Sequence, residues 1–93
     1  MGTFHQGKGE LHGITVVVDT PGATAYIGRC DTVTDEGAYL LDVDVYEAQP
    51  GDPSKEAWIR RASKVGQWKK HDQVFVPRDQ IASIQRLADV RTG

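Results

Sequence analysis

The chain has 93 residues, 39% of them apolar and 26% charged, with a formal net charge of −2. This bounds it to one domain of ordinary globular composition, whose modest core would gain from self-association, and it gives no overall attraction to nucleic acid. No apolar run approaches the roughly 18 residues of a membrane-spanning helix, the polar, glycine-rich Met1 to Gly13 lacks the apolar centre of a secretory signal, and the single Cys30 cannot form an internal disulfide and fits a reducing cytoplasm.

In chain order, residues 1–12 show no periodicity and are expected to form a flexible arm. A barrel domain is expected over 13–88. Its first strand places Ile14, Val16 and Val18 on one face and Thr15, Val17 and Asp19 on the other. Pro21-Gly22 marks a turn, with Gly22 suited to the positive φ of a type II turn. The second strand alternates Ala23, Ala25 and Ile27 against Thr24, Tyr26 and Gly28. A glycine inside a strand signals a bulge or sharp bend. After a turn at Thr34 to Gly37, the third strand, Ala38 to Glu47, presents Tyr39, Leu41, Val43 and Val45 as an apolar face. Leu40, Asp42, Asp44 and Tyr46 form the opposite, mostly polar one.

A helix is expected near 53–65, capped by Asp52, with Pro53 at its first helical position and Gly66 ending it. Trp58, Ile59, Ala62 and Val65 recur at helical spacing on its apolar face, away from Arg60, Arg61 and Lys64. The fourth strand covers about Asp72 to Val76 and ends at Pro77. The fifth covers Gln80 to Arg86, and residues 89–93 form a polar tail. Five short strands with tight connections are the pattern of a mainly β, strongly bent SH3-like barrel, here with one helical insert between strands 3 and 4.

These residues resemble the Sm-like (Lsm-type) family. Ile14 to Glu47 is similar to the family's first motif, with Gly22 in the first turn, Gly28 in the second strand, and Asp35 and Glu47 twelve residues apart as its acidic ends. Val74 to Ile84 (VFVPRDQIASI) resembles the second motif. Tyr39 stands where the family's uracil pocket has an asparagine, and Pro77-Arg78 where the second motif has an arginine-glycine pair. The resemblance therefore implies a ring-forming barrel, with Arg78 the one chemical substitute at the ligand pocket.

Charge is unevenly distributed. Residues 1–54 carry nine acids and two bases, whereas 55–70 carry six bases and one acid. Arg60, Arg61, Lys64, Lys69 and Lys70 could neutralise phosphates, with Trp58 or Trp68 available to stack on a base. The alternative is a solvated basic face, or pairing of these cations with Asp42, Asp44 and Glu47, while Trp58 packs on the barrel. His5, His12 and His71 have no metal-ligand spacing. Asp42 and Asp44 share a strand face that could hold a hard cation with Asp31 or Glu47, though alternation alone produces that pair. No Ser/His/Asp or paired-carboxylate set stands out. The expectation is a non-enzymatic homo-oligomeric module without cofactor or metal, with RNA the first ligand and a protein-interaction or structural oligomer the alternative.

Overall fold

A computed structural model describes residues 11–47 and 50–90. The five strands are β1 (Thr15–Asp19), β2 (Thr24–Thr34), β3 (Gly37–Glu47), β4 (His71–Pro77) and β5 (Ser83–Arg86), and the helix α1 (Lys55–Val65) lies between β3 and β4. They form one antiparallel sheet in the order β4-β3-β2-β1-β5. The expected mainly β fold with a helical insert is present, and the sheet is open: β4 and β5 are its two edges.

The sheet nevertheless curls. Val16 and Val18 of β1, Cys30 and Val33 of β2, Ala38, Leu40 and Val43 of β3, and Val76 of β4 form one buried cluster, with Ile84 of β5 packed against it. In a flat five-stranded sheet the edges would lie about 19 Å apart, at ~4.8 Å per strand. The helix belongs to the other face, so burial of this cluster requires the sheet to fold around it. On the outer face Val17, Ile27, Ala62 and Leu87 form a second cluster, flanked by Trp58, Ile59 and Val90. This explains why Val16, Val17 and Val18 are all buried in succession: β1 is covered on both sides.

Two register shifts bend β2 and β3. Between the pairs Ile27↔Asp44 and Arg29↔Leu41, β3 advances one residue more than β2; between Cys30↔Leu40 and Thr32↔Tyr39, β2 advances one more than β3. Asp42 carries the first bulge at φ 53, a left-handed conformation that aspartate tolerates better than most residues. The bend expected at Gly28 lies opposite it. A Cβ there would stand 3.0 Å from both the Leu41 carbonyl oxygen and Val43 Cγ2.

The bulge corrects the expected faces of β3. Ala38 and Leu40 point into the inner cluster before it and Val43 after it, because one inserted residue reverses the alternation. Leu40 is thus core, and the half-buried Leu41 is outside both clusters. Gly22 has no positive φ, so its turn does not depend on glycine. Gln80 to Ala82 also depart from the expected fifth strand. Arg78–Gln80 form a 3-10 turn, and Ala82 N–H donates to the Asp19 carbonyl just before β5 begins.

Helix α1 starts two residues later than expected. Ser54, not Asp52, caps it by accepting from Ala57 N–H at 3.1 Å. Gly66, at φ 87, closes it by donating to the Ala62 carbonyl. Trp58 and Ile59 pack toward the sheet and Ala62 is buried, but Val65 is 72% exposed. The last turn therefore overhangs the sheet. The tail segment is similarly anchored where described, since Val90 packs on the outer cluster. Of the expected arm, Leu11 packs on the inner cluster and His12 bonds the Asp31 carbonyl; residues 1–10 lie outside the described residues.

Lys55 fastens the start of α1 to the β1–β2 turn. Its Nζ donates to Asp19 Oδ1 at 2.6 Å, the Gly22 carbonyl at 2.7 Å and the Thr20 carbonyl at 3.0 Å, using all three ammonium donors. Lys55→Met should lower stability by about 1 kcal/mol, because Asp19 is exposed enough to be hydrated once its partner is gone. Urea denaturation of parent and variant measures this.

Candidate functional site

The expected binding residues divide into three groups, two in the basic insert and Arg78 outside it. Arg60, Arg61 and Lys64 lie on the outer side of α1, all exposed, and none makes an ion pair among the described residues. Lys69 and Lys70 lie in the connector from α1 to β4. There Lys69 Nζ is 2.7 Å from Asp72 Oδ1 and 3.7 Å from Asp42 Oδ1, and Lys70 Nζ is 3.7 Å from Asp44 Oδ1. The hydrogen bond to Asp72, reinforced by its charge, holds the Lys69 ammonium above the usual lysine range and the Asp72 carboxyl below the usual carboxylate range. Both groups are on the surface, where screening keeps such a pair weak.

Arg78 follows β4 at its far end, beside the β2–β3 turn, where its N–H donates to the Glu36 carbonyl. The seven residues of β4 span about 23 Å at ~3.3 Å each. Arg78 is therefore not part of the same surface as Lys69 and Lys70.

The connector joins α1 to the bulged part of β3. Lys70 N–H donates to the Val43 carbonyl at 2.8 Å and its Nζ to the Val45 carbonyl at 3.3 Å. Trp68 N–H donates to Asp44 Oδ2 at 3.1 Å. These bonds hold the chain against β3 but leave the Trp68 indole outside, 75% exposed. Trp58 has the opposite placement. Its ring packs on Tyr46 with centroids 5.4 Å apart, and Tyr46 in turn donates its hydroxyl hydrogen bond to the Pro53 carbonyl. Of the two tryptophans, Trp58 belongs to the packing of the helix and Trp68 to the surface.

Between them lies a groove. An open cleft of about 410 Å³ is lined by Arg61, Val65, Gly66, Gln67 and Trp68. Arg61, Val65, Gly66 and Trp68 also border a crevice of about 30 Å³, whose remaining walls are Asp44, Trp58 and Ala62. Asp44 is 3% exposed, and its Oδ1 is the one buried side-chain oxygen or nitrogen among the described residues that lacks a hydrogen bond. Lys70 is near enough to offset its charge but too far to bond it. Alternation puts Asp44 on the mostly polar face of β3, and it is on that face, buried where α1 and its connector cover it. The only sequence signal for its burial is a carboxylate among apolar residues of a long strand, which does not distinguish it from Asp42.

The remaining candidates are absorbed by the fold. Asp42 pairs with Arg29 at 3.3 Å and with Lys69. Among the described residues no three His, Cys, Asp or Glu side chains come together. Cys30 is buried in the inner cluster, and burial, with the Asp31 charge as a second cause, pushes its thiol up from the ordinary range. It is therefore a protonated packing group at neutral pH. A second cleft, about 280 Å³, lies between the β1–β2 turn and the 3-10 turn after β4, lined by Thr20, Pro21, Gly22, Thr24, Tyr26, Asp79 and Gln80. No helix of the described residues is long and apolar enough to cross a membrane.

The sheet edges complete the exposed surface. Among the described residues β4 pairs only with β3 and β5 only with β1. On β4 Phe75 is 40% exposed, its ring 4.6 Å from that of Tyr39.

No protein-family model matches the sequence, and no curated protein matches it. The fold is shared with chains in solved structures. A chain in a crystal structure of the NatC complex bound to CoA aligns with a TM-score of 0.55 and 15% identity over 84% of this chain and 80% of that one. A chain in a crystal structure of the NatC complex bound to Gag peptide and CoA aligns with a TM-score of 0.53 and 18% identity over 82% and 84%. At these identities the likeness establishes a small, all-antiparallel, five-stranded fold.

Proposed function

We propose that this chain is a non-enzymatic, Sm-like interaction module that assembles with protein partners, copies of itself included, through the free edges of its sheet. The observation that carries the reading is the open strand order, β4 at one end and β5 at the other. Each edge presents unpaired backbone groups, and an uncovered edge is a template for another strand. Pairing β4 of one copy with β5 of the next is heterologous and can close a ring. The half-exposed Phe75 adds apolar surface at one edge. The chains of similar fold belong to structures of a protein complex, which is in keeping with a role in assembly. A cytoplasmic site of action fits the unpaired, buried Cys30.

The expected outcome is a solution mass above 10.2 kDa by light scattering at micromolar concentration. Phe75→Lys should shift it to the monomer while leaving the circular dichroism spectrum and melting of an ordered sheet. A parent that stays monomeric at every concentration, and that gains no strand pairing from a partner, rejects the proposal.

A second reading is RNA binding of low sequence selectivity, favoured by the exposed Arg60, Arg61 and Lys64, which make no ion pair among the described residues, and by the exposed Trp68. Repeated around a ring, these cations would act multivalently. Engagement of Lys69 and Lys70 by the acidic body and the remoteness of Arg78 reduce the cationic surface and place this reading second. Salt-dependent RNA affinity that disappears when Arg60, Arg61 and Lys64 are replaced together by Gln would move it to first.

A further inference from the structure

Three large apolar side chains are exposed among the described residues, and two of them, Val65 at 72% and Trp68 at 75%, wall the same open cleft of about 410 Å³. Edge pairing uses neither, and an aliphatic side chain offers nothing to a phosphate. The cleft is open at Gly66, where a Cβ would meet no atom within 4 Å. The charge beside it has one sign. Arg61 is part of the wall. At about 100° per residue, Lys64 and then Arg60 follow Arg61 around the helix on the side away from Trp58 and Ala62. All three are exposed and make no ion pair among the described residues. The one acid of α1, Glu56, is in its first turn, at the opposite end. Asp44, in the adjoining crevice, does not offset these cations. It is 3% exposed, its Oδ2 accepts from Trp68 N–H, and the Lys70 ammonium stands 3.7 Å from its Oδ1.

We propose that this groove docks an acidic segment of a partner protein, with an apolar side chain lying between Val65 and Trp68 and flanking carboxylates bonded to Arg61 and Lys64. A guanidinium fork matches a carboxylate in two parallel hydrogen bonds, and an ammonium adds a point charge. The negative end of α1 disfavours an anion directly over Gly66, so the carboxylates belong on the Arg61 and Lys64 side. A nucleic-acid strand fits this surface less well. Stacking along a strand uses successive rings, and Trp68 is the one exposed ring here, Trp58 being packed on Tyr46. A strand longer than the patch also runs onto a body whose residues 1–54 carry nine acids and two bases. A short acidic segment meets only the local cations, because charges beyond about 8 Å are largely screened. The site adds a surface to the edge-mediated assembly and does not depend on it.

The test is a titration of the ¹⁵N-labelled chain in about 150 mM salt, following the Trp68 indole N–H signal. The probes are the acetylated, amidated hexapeptide DELFED and hexauridylate. Two control peptides accompany them: NQLFQN, which keeps the apolar pair without the charge, and DEGGED, which keeps the charge without the apolar pair. DELFED should shift the signal saturably. NQLFQN should bind at least about tenfold more weakly for lack of charged hydrogen bonds, and DEGGED should lose a similar factor for lack of apolar burial. Arg61→Gln should weaken DELFED about tenfold and Val65→Ser at least about threefold. Both positions are exposed, so circular dichroism should show the parent fold. Equal binding of NQLFQN would reduce the site to an apolar groove, and equal binding of DEGGED to a plain basic patch. Tighter binding of hexauridylate than of DELFED would give the surface to nucleic acid. Each of these results overturns the proposal, as does an unmoved Trp68 signal at millimolar DELFED. A monomeric protein that binds DELFED would leave this proposal standing and remove only the edge-pairing one.

Discussion

Gly37→Ala is expected to lower stability by about 3 kcal/mol or more, the sum of a strained backbone and a steric overlap. Gly37 opens β3 at φ 153, a conformation that residues with a side chain rarely adopt. It is also directly opposite Pro77 of β4. A Cβ built there would lie 2.2 Å from the Val76 carbonyl oxygen and 2.9 Å from two ring atoms of Phe75. The ring could turn away, but the carbonyl belongs to the β3–β4 ladder and can move only by separating the strands. Because Ala38 and Val76 are both buried in the inner cluster, that separation opens the core as well as an edge.

Two other glycines calibrate the result. Gly28→Ala meets backbone and side-chain atoms at 3.0 Å without a positive φ, so its cost should be smaller. Gly22→Ala meets nothing within 4 Å and should be neutral or stabilise slightly through the unfolded chain. Urea denaturation should order the three variants Gly37, Gly28, Gly22 from most to least damaging. A Gly37→Ala protein that unfolds at the parent's midpoint would show that β3 and β4 are not in this close register.

The same positions mark what the sequence discloses and what it conceals. β1 is legible because Val16 and Val18 alternate with Val17, and only the burial of both faces needed the structure. The helix is legible from Trp58, Ile59 and Ala62, although its cap moves to Ser54. The faces of β3 were not legible. A bulge is settled by how two strands pair, and nothing local to Leu41-Asp42-Val43 distinguishes it from simple alternation. Leu40 therefore enters the core where simple alternation places it outward, whereas Asp44 keeps the face opposite Val43 and is buried because α1 and its connector cover that face. Arg60, Arg61 and Lys64 were identifiable as exposed from helical spacing alone. Lys55 was not identifiable as a fastener, since Asp19, Thr20 and Gly22 are more than thirty residues away in the chain.

Trp58→Ala should cost about 3 kcal/mol, in the range for truncating a packed aromatic, and most of the effect should fall on the helix. At eleven residues α1 is shorter than a helix that persists alone in water. Its order therefore comes from docking. The docking surface is small: Trp58, Ile59 and Ala62 against Val17, Ile27 and Leu87, with Tyr46 stacked on Trp58. Val65 contributes little, being mostly exposed. Removing the indole takes away the largest side chain of this set, and Lys55 and Ser54 alone then hold the first turn. No residue of α1 belongs to the inner cluster, so the sheet should outlast that helix. Hydrogen exchange should show amides of 57–65 losing protection well before those of β1 and β2, and Trp58→Phe, which keeps a ring against Tyr46, should recover much of the loss. Uniform loss of protection across helix and sheet would instead mean that the two faces of β1 support a single cooperative core.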